Sequence, residues 1–218
     1  MKNSIEELTT LVRGKSIALV GGYASAIEHG GISECDIICS AHNHAQRAGL
    51  DPHIIFSGWE TPQLTARTEV VVVNIANPES HHTIKACAIS GKSTVLYDSF
   101  IYKGLNPHGP EFEWYNVFAK DLRATPFTGI AAMKFLLSLP ITSLYATGFT
   151  FYANERGEFP YRVASHHVES QVRWFRSVLQ SDSRVECDNA LNKLFPRFKP
   201  PTSIVHVRKD ENGVEWRR

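Results

Sequence analysis

Two adjacent histidines in Ser165-His166-His167-Val168-Glu169 stand at the start of an amphipathic stretch. An imidazole there could serve as a general base, tuned by Glu169 or by the helix terminus. A structural role is the alternative: Ser165 or His166 caps the helix and Glu169 favours its positive end. Gly21-Gly22-Tyr23-Ala24-Ser25 follows the first apolar run. Glycines there let backbone N–H groups approach a phosphate or ribose, although a plain tight turn would use the same residues. The spacing is not GxGxxG, no GK[ST] follows, and no acidic residue ends the second apolar run. A dinucleotide cofactor and a P-loop are therefore disfavoured.

Ser40-Ala41-His42-Asn43-His44 closes that second run. Asn43 can both donate and accept, which suits a ribose, base or sugar hydroxyl, or it can cap a helix. His42 and His44 flank it, but no third ligand or HExxH spacing accompanies them, so no metal site is expected. Pro126-Phe127-Thr128-Gly129 places a hydroxyl and a turn before an apolar helix, where unpaired N–H groups favour an anion. Thr128 could also be a simple N-cap. Thr147-Gly148-Phe149 ends the next strand. If these turns converge with Gly21-Gly22 on one sheet edge, they outline a nucleotide-sized crevice.

The elements that must position them alternate. Residues 16–22, 35–41, 53–58, 69–75, 93–99 and 142–149 read as strands, several apolar on both faces. SIEELTTLVRG, PESHHTIKACAISG, TGIAAMKFLLSL and HHVESQVRWFRSVLQ read as helices. In the last, Val168, Val172, Phe175 and Leu179 share one stripe. The alternation predicts an α/β fold: a single Rossmann-like, doubly wound, mostly parallel sheet flanked by helices, over residues 1–195. Residues 103–114 read as an irregular loop long enough for a lid. Residues 196–218 form a Pro-containing, mildly basic tail of the same domain.

The chain has 218 residues, 43% of them apolar and 21% charged, with a formal net charge of +1. That is ample for one α/β domain, and it supplies no global electrostatic pull toward nucleic acid or a membrane. Four cysteines without a CxxC pair read as reduced thiols in a cytoplasmic protein. The N-terminus lacks a signal-peptide core, and GIAAMKFLLSLPI is too short to span a bilayer.

In this combination the chain resembles the sialyltransferase-like proteins of glycosyltransferase family 29, particularly their short, anchorless bacterial and viral type. KSIALVGGYASAIEHGGISECDIICSAHN is similar to the long motif of that family, ATPFTGIAAMKFLLSL with SLYATGF to its short motif, and SHHVESQVRWFRSVLQ with SRVECD to its late His/Glu motif. The matches fall in family order over residues 14 to 190. Ser40-Ala41-His42-Asn43 replaces the family's Arg-x-Asn, Gly22 stands where a polar residue is usual, and the short motif has no Cys.

The resemblance implies a variant GT-A-like fold and inverting sugar transfer, without a metal or other cofactor, from a nucleotide sugar to a glycan or other hydroxyl acceptor. The donor would be CMP-linked if the analogy extends that far. It implies that Gly21, Gly22, Ser25, Asn43, Thr128, Gly129, Thr147 and Gly148 surround the nucleotide. His166 or His167 would be the base. No Asp-x-Asp occurs in the sequence. A nucleotide-dependent phosphotransferase is the competing enzyme reading; it would need carboxylates such as Asp36 or Asp98 at the glycine turn. A non-catalytic nucleotide-binding relative is the third.

Overall fold

The computed structural model describes residues 4–22, 27–58, 60–97, 113–151 and 167–194, with the pairs 208–209 and 215–216. Seven strands form one sheet, β1 (Ser16–Val20), β2 (Ile37–Ala41), β3 (Ile54–Ser57), β4 (Val70–Asn74), β5 (Ser93–Tyr97), β6 (Ser143–Thr147) and β7 (Val185–Cys187), in the order β5-β4-β3-β2-β1-β6-β7. Every adjacent pair is parallel. The chain builds outward from β1 to β5 and then returns to add β6 on the other side of β1. The strand order therefore reverses between β1 and β6, the place where open α/β sheets bind ligands.

Burial explains the strand composition. β4, Val-Val-Val-Val-Asn, is buried at every position, as both-faced coverage requires. One face packs Ile17, Leu19, Ile54, Phe56, Val70 and Val72 against α1 (Ser4–Val12), α5 (Glu113–Leu122), α6 (Thr128–Leu137) and α7 (Val168–Ser181). The opposite face packs Ala18 and Val20 against α2 (His29–Ser33) and α3 (His44–Arg47), and Ile55, Val71 and Val73 against α4 (Ser80–Ile89). α8 (Asn189–Leu194) follows β7. The predicted doubly wound sheet is thus present, and each of its strands is parallel to its neighbours.

The differences are at element ends and in short helices. β1, β3 and β6 end one or two residues short of their apolar runs, where glycines 21, 58 and 148 begin turns. α2 and α3 are too short to show periodicity. The predicted loop ends at Glu113, where α5 begins; its residues 103–112 lie outside the described set. Of the tail, the described part is an antiparallel pair, β8 (Arg208–Lys209) with β9 (Glu215–Trp216). Among the described residues no helix is long and apolar enough to cross a membrane. All four cysteines are free thiols, and burial raises their pKa, that of Cys187 to about 12.

Candidate functional site

At the switch point, main chain meets main chain. The Gly21 N–H donates to the Thr147 carbonyl (2.8 Å), extending the β1–β6 ladder one step past the strand. Gly148 has φ 74, a left-handed conformation that glycine adopts without steric cost. A Cβ on Gly21 would lie 2.7 Å from the Gly148 carbonyl oxygen and 3.0 Å from the Phe149 ring. The junction is braced from behind: the Thr147 hydroxyl accepts the Glu28 N–H (3.0 Å) and buried Asp188 accepts the Gly148 N–H (2.9 Å). Thr147 and the Gly148 amide therefore hold the turn itself. Gly22 is exposed.

A second group of residues extends this edge toward β3. His42 directly follows β2 with φ 57, and its N–H donates to the Phe56 carbonyl (2.8 Å). Its imidazole lies over Gly58, where a Cβ would sit 2.5 Å from His42 Cε1 and 2.6 Å from Thr128 Oγ1. His42 Nδ1 is buried and has no hydrogen-bond partner among the described residues. His44 packs on Gly22, whose Cβ would be 3.0 Å from Nε2, and the two histidine rings meet edge-on at 5.6 Å. Burial lowers the pKa of both, and for His44, with His42 and Arg47 adding to the effect, it falls to about 4. Both imidazoles are neutral at neutral pH, each able to donate at one nitrogen and accept at the other.

The third component is the start of α6. Phe127 is its extended N-cap and makes no side-chain cap bond; Thr128 is the first helical residue, not the cap. The Thr128 hydroxyl instead points at Gly58, where a Cβ would lie 2.6 Å from its Oγ1. Gly129 accommodates Phe149, since a Cβ there would be 2.4 Å from Phe149 Cε1. The Phe149 ring thus lies between Gly21 and Gly129. Fully buried Gln171 accepts the Phe127 N–H (2.8 Å) and donates to the Thr125 carbonyl (3.2 Å). The first turn of α7 is thereby tied to the approach to α6.

The three predicted glycine turns, Gly21-Gly22, Thr128-Gly129 and Thr147-Gly148, therefore meet at one carboxyl edge. Asn43 is at the same edge, 2% exposed and at the N-cap position of α3, but its side chain makes no cap bond. Its amide donates to the Thr61 carbonyl (2.9 Å) and its carbonyl accepts the Gln63 N–H (2.7 Å), pinning the segment after β3. His167 is the N-cap of α7 with φ 39, half-buried and without a cap bond from its side chain. Ser25, Ser165 and His166 lie outside the described residues. Among the described residues no group of three His, Cys, Asp or Glu could hold a metal ion. Asp36 stands at the opposite, amino end of β2, bound to Ser16 and Lys15. Gly58 was missed by the sequence reading, yet the rule that found Gly21, a glycine ending a parallel strand, applies to it equally. Gln171 left no comparable signal, because a polar residue on an apolar stripe reads as a solvent-facing position.

No protein-family model and no curated protein matches the chain. Among solved structures the backbone is similar to CstII, a sialyltransferase from Campylobacter jejuni solved with the substrate analogue cytidine-5'-monophosphate. The TM-score is 0.50 at 11% identity, over 84% of each chain. A CstII structure with a trisaccharide acceptor and CMP aligns over 83% of this chain and 84% of that one, at 10% identity and TM-score 0.47. The chain has a sialyltransferase-like α/β fold.

Proposed function

We propose that the chain is a glycosyltransferase that moves a sugar from a CMP-linked donor, sialic-acid-like, to an acceptor hydroxyl with inversion. The observation that carries this reading is the meeting of Gly21, Gly148 and Gly129 around Phe149 at the β1–β6 switch point, with Gly58 farther along the same carboxyl edge under His42 and Thr128. There, exposed Gly22, neutral His42 and His44 and the α6 N-terminus share one edge. The likeness of the fold to a protein solved with CMP agrees with it, and the finer assignment to family 29 rests on the three sequence motifs. Gly21, Gly22 and Ser25 would face the nucleotide. Asn43, Thr147 and Gly148 shape the walls through the bonds described above. Thr128 and Gly129 open a helix whose positive end can offset charge on the departing phosphate.

In the proposed step His166 or His167 takes the proton of the acceptor hydroxyl. The acceptor oxygen bonds to the anomeric carbon as the carbon–oxygen bond to the nucleotide phosphate breaks, and CMP leaves with that electron pair. Without an Asp-x-Asp pair in the sequence, side chains and the helix end take the place of a divalent ion, and the setting is cytoplasmic. The phosphotransferase reading is weakened by the placement of Asp36, at the end of β2 away from the glycine turn.

Thermal-shift titration with CMP, UDP, GDP, ATP and NAD, each with and without magnesium, tests the donor. Stabilisation by CMP without magnesium is expected. Stabilisation only by ATP with magnesium would reject the transferase reading. In a donor-hydrolysis or transfer assay, His166→Ala or His167→Ala should slow turnover at least about tenfold, and two unaffected variants would remove the base assignment.

A further inference from the structure

The amino edge of the sheet, at the far ends of β2 and β3 from the glycine junction, holds a cavity of about 320 Å³ that sugar transfer leaves unused. His29, Ser33, Asp36, His53 and Arg67 supply its polar lining. His53, 7% exposed, directly precedes β3 and is bound to Ile38 twice. Its N–H donates to the Ile38 carbonyl (2.8 Å), and its ring Nδ1 receives the Ile38 N–H (3.0 Å). On the other side of the ring the Arg67 Nε–H points at Nε2 from 2.8 Å.

These two contacts are incompatible in a neutral imidazole, which has one N–H and one lone pair. The Ile38 N–H belongs to a central strand and cannot turn away, so it keeps the Nδ1 lone pair and the ring proton sits on Nε2. Exposed Arg67 is the partner that can rotate. Two donors, His53 Nε2–H and the Arg67 guanidinium, then face one another across the cavity wall, and no hydrogen-bond acceptor is bound between them among the described residues. Two carboxylates stand near this pair, and neither hydrogen-bonds it: Glu69, whose charge acts on His53, and Asp36 on the cavity lining. Asp36 is taken by the Ser16 N–H (3.0 Å) and hydroxyl (2.9 Å), and its charge is offset by Lys15 at 3.7 Å. The Ser33 hydroxyl donates to the Gly30 carbonyl (2.7 Å).

We propose that this cavity is a second ligand site, separate from the carboxyl edge, which takes a phosphoryl-type oxyanion between His53 Nε2–H and the Arg67 guanidinium. Such a group accepts from both donors at once, and guanidinium is well matched to its oxygens. Inorganic phosphate and the phosphoryl end of a small phosphomonoester share this chemistry.

The test is a titration of the full chain with inorganic phosphate, and separately with glycerol phosphate. It is followed by the Ile38 amide and Arg67 Nε–H resonances, with sodium chloride at matched ionic strength as control. Saturable shifts of both resonances are expected with phosphate and not with chloride. Arg67→Gln, on an exposed side chain, should weaken binding at least about tenfold, as loss of a charge-assisted bond implies. Tighter binding of glycerol phosphate identifies the phosphomonoester as the better ligand, and tighter binding of phosphate the free anion. Equal shifts with phosphate and chloride, or an Arg67→Gln titration matching the native one, would overturn the proposal.

Discussion

The two edges of the sheet are built by opposite means. At the carboxyl edge the contacts are between main-chain atoms and glycines, with His42 after β2 and Gly148 and Phe151 after β6 in left-handed conformations. At the amino edge the contacts are between side chains: Asp36 with Ser16 and Lys15, and His53 with Ile38 and Arg67. The close-packed glycines of the first edge leave no room for a Cβ, whereas the second edge can exchange one polar partner for another. Close main-chain approach is found where a ligand is expected, and the left-handed non-glycine residues His42 and Phe151 hold backbone strain beside it.

The largest effect is expected at the main-chain junction. Gly21→Ala pushes a methyl to 2.7 Å from the Gly148 carbonyl oxygen, a backbone atom that must move. We expect a loss of about 3 kcal/mol in urea unfolding, together with loss of nucleotide stabilisation. An unchanged midpoint would mean that the junction is looser than described. Next, Gln171→Ala removes the two hydrogen bonds that this fully buried side chain makes, to the Phe127 N–H and the Thr125 carbonyl. That should cost about 2 kcal/mol. Gln171→Glu, which keeps one acceptor, should restore part of it.

The smallest and most discriminating test is pH. The folded-state pKa of His44 is about 4, lowered by burial, next to an ordinary value of about 6.5, so the unfolded chain takes the proton first. Stability should therefore fall from about pH 6.5 to about pH 4, and His44→Gln should flatten that limb. His53 pulls the same way, its pKa lowered by burial and Arg67, which is why the variant and not the raw curve is decisive. Asp36 behaves differently. The Ser16 N–H and hydroxyl hold its carboxylate below the usual range, so its contribution is complete above about pH 3.9 and is lost as pH falls through the folded pKa. Melting temperatures of Asp36→Asn and the native chain should converge only at that acid end.

Much of this was legible in the chain itself. The β-branched runs of Val70–Asn74 and Ile54–Ser57 announce buried parallel strands, and the stripe Val168, Val172, Phe175 announces the face of α7. The glycine turns and their common edge follow from where strands end. Other features had no local sign. Asn43 was readable as a group able to contact a ligand or cap a helix, but its bonds to Thr61 and Gln63 depend on a segment 18 to 20 residues away. The left-handed backbone of His42 and the Gln171 link across 44 residues likewise come from tertiary packing.

The contact between Gly21 and Gly148 has one more consequence. A floor made of peptide groups takes its shape from the turn geometry and not from which side chains surround it. Any sequence that keeps those two positions free of a Cβ can rebuild the same floor while the remainder drifts. Resemblance of shape can then outlast resemblance of letters, as the 11% identity beside a shared fold illustrates.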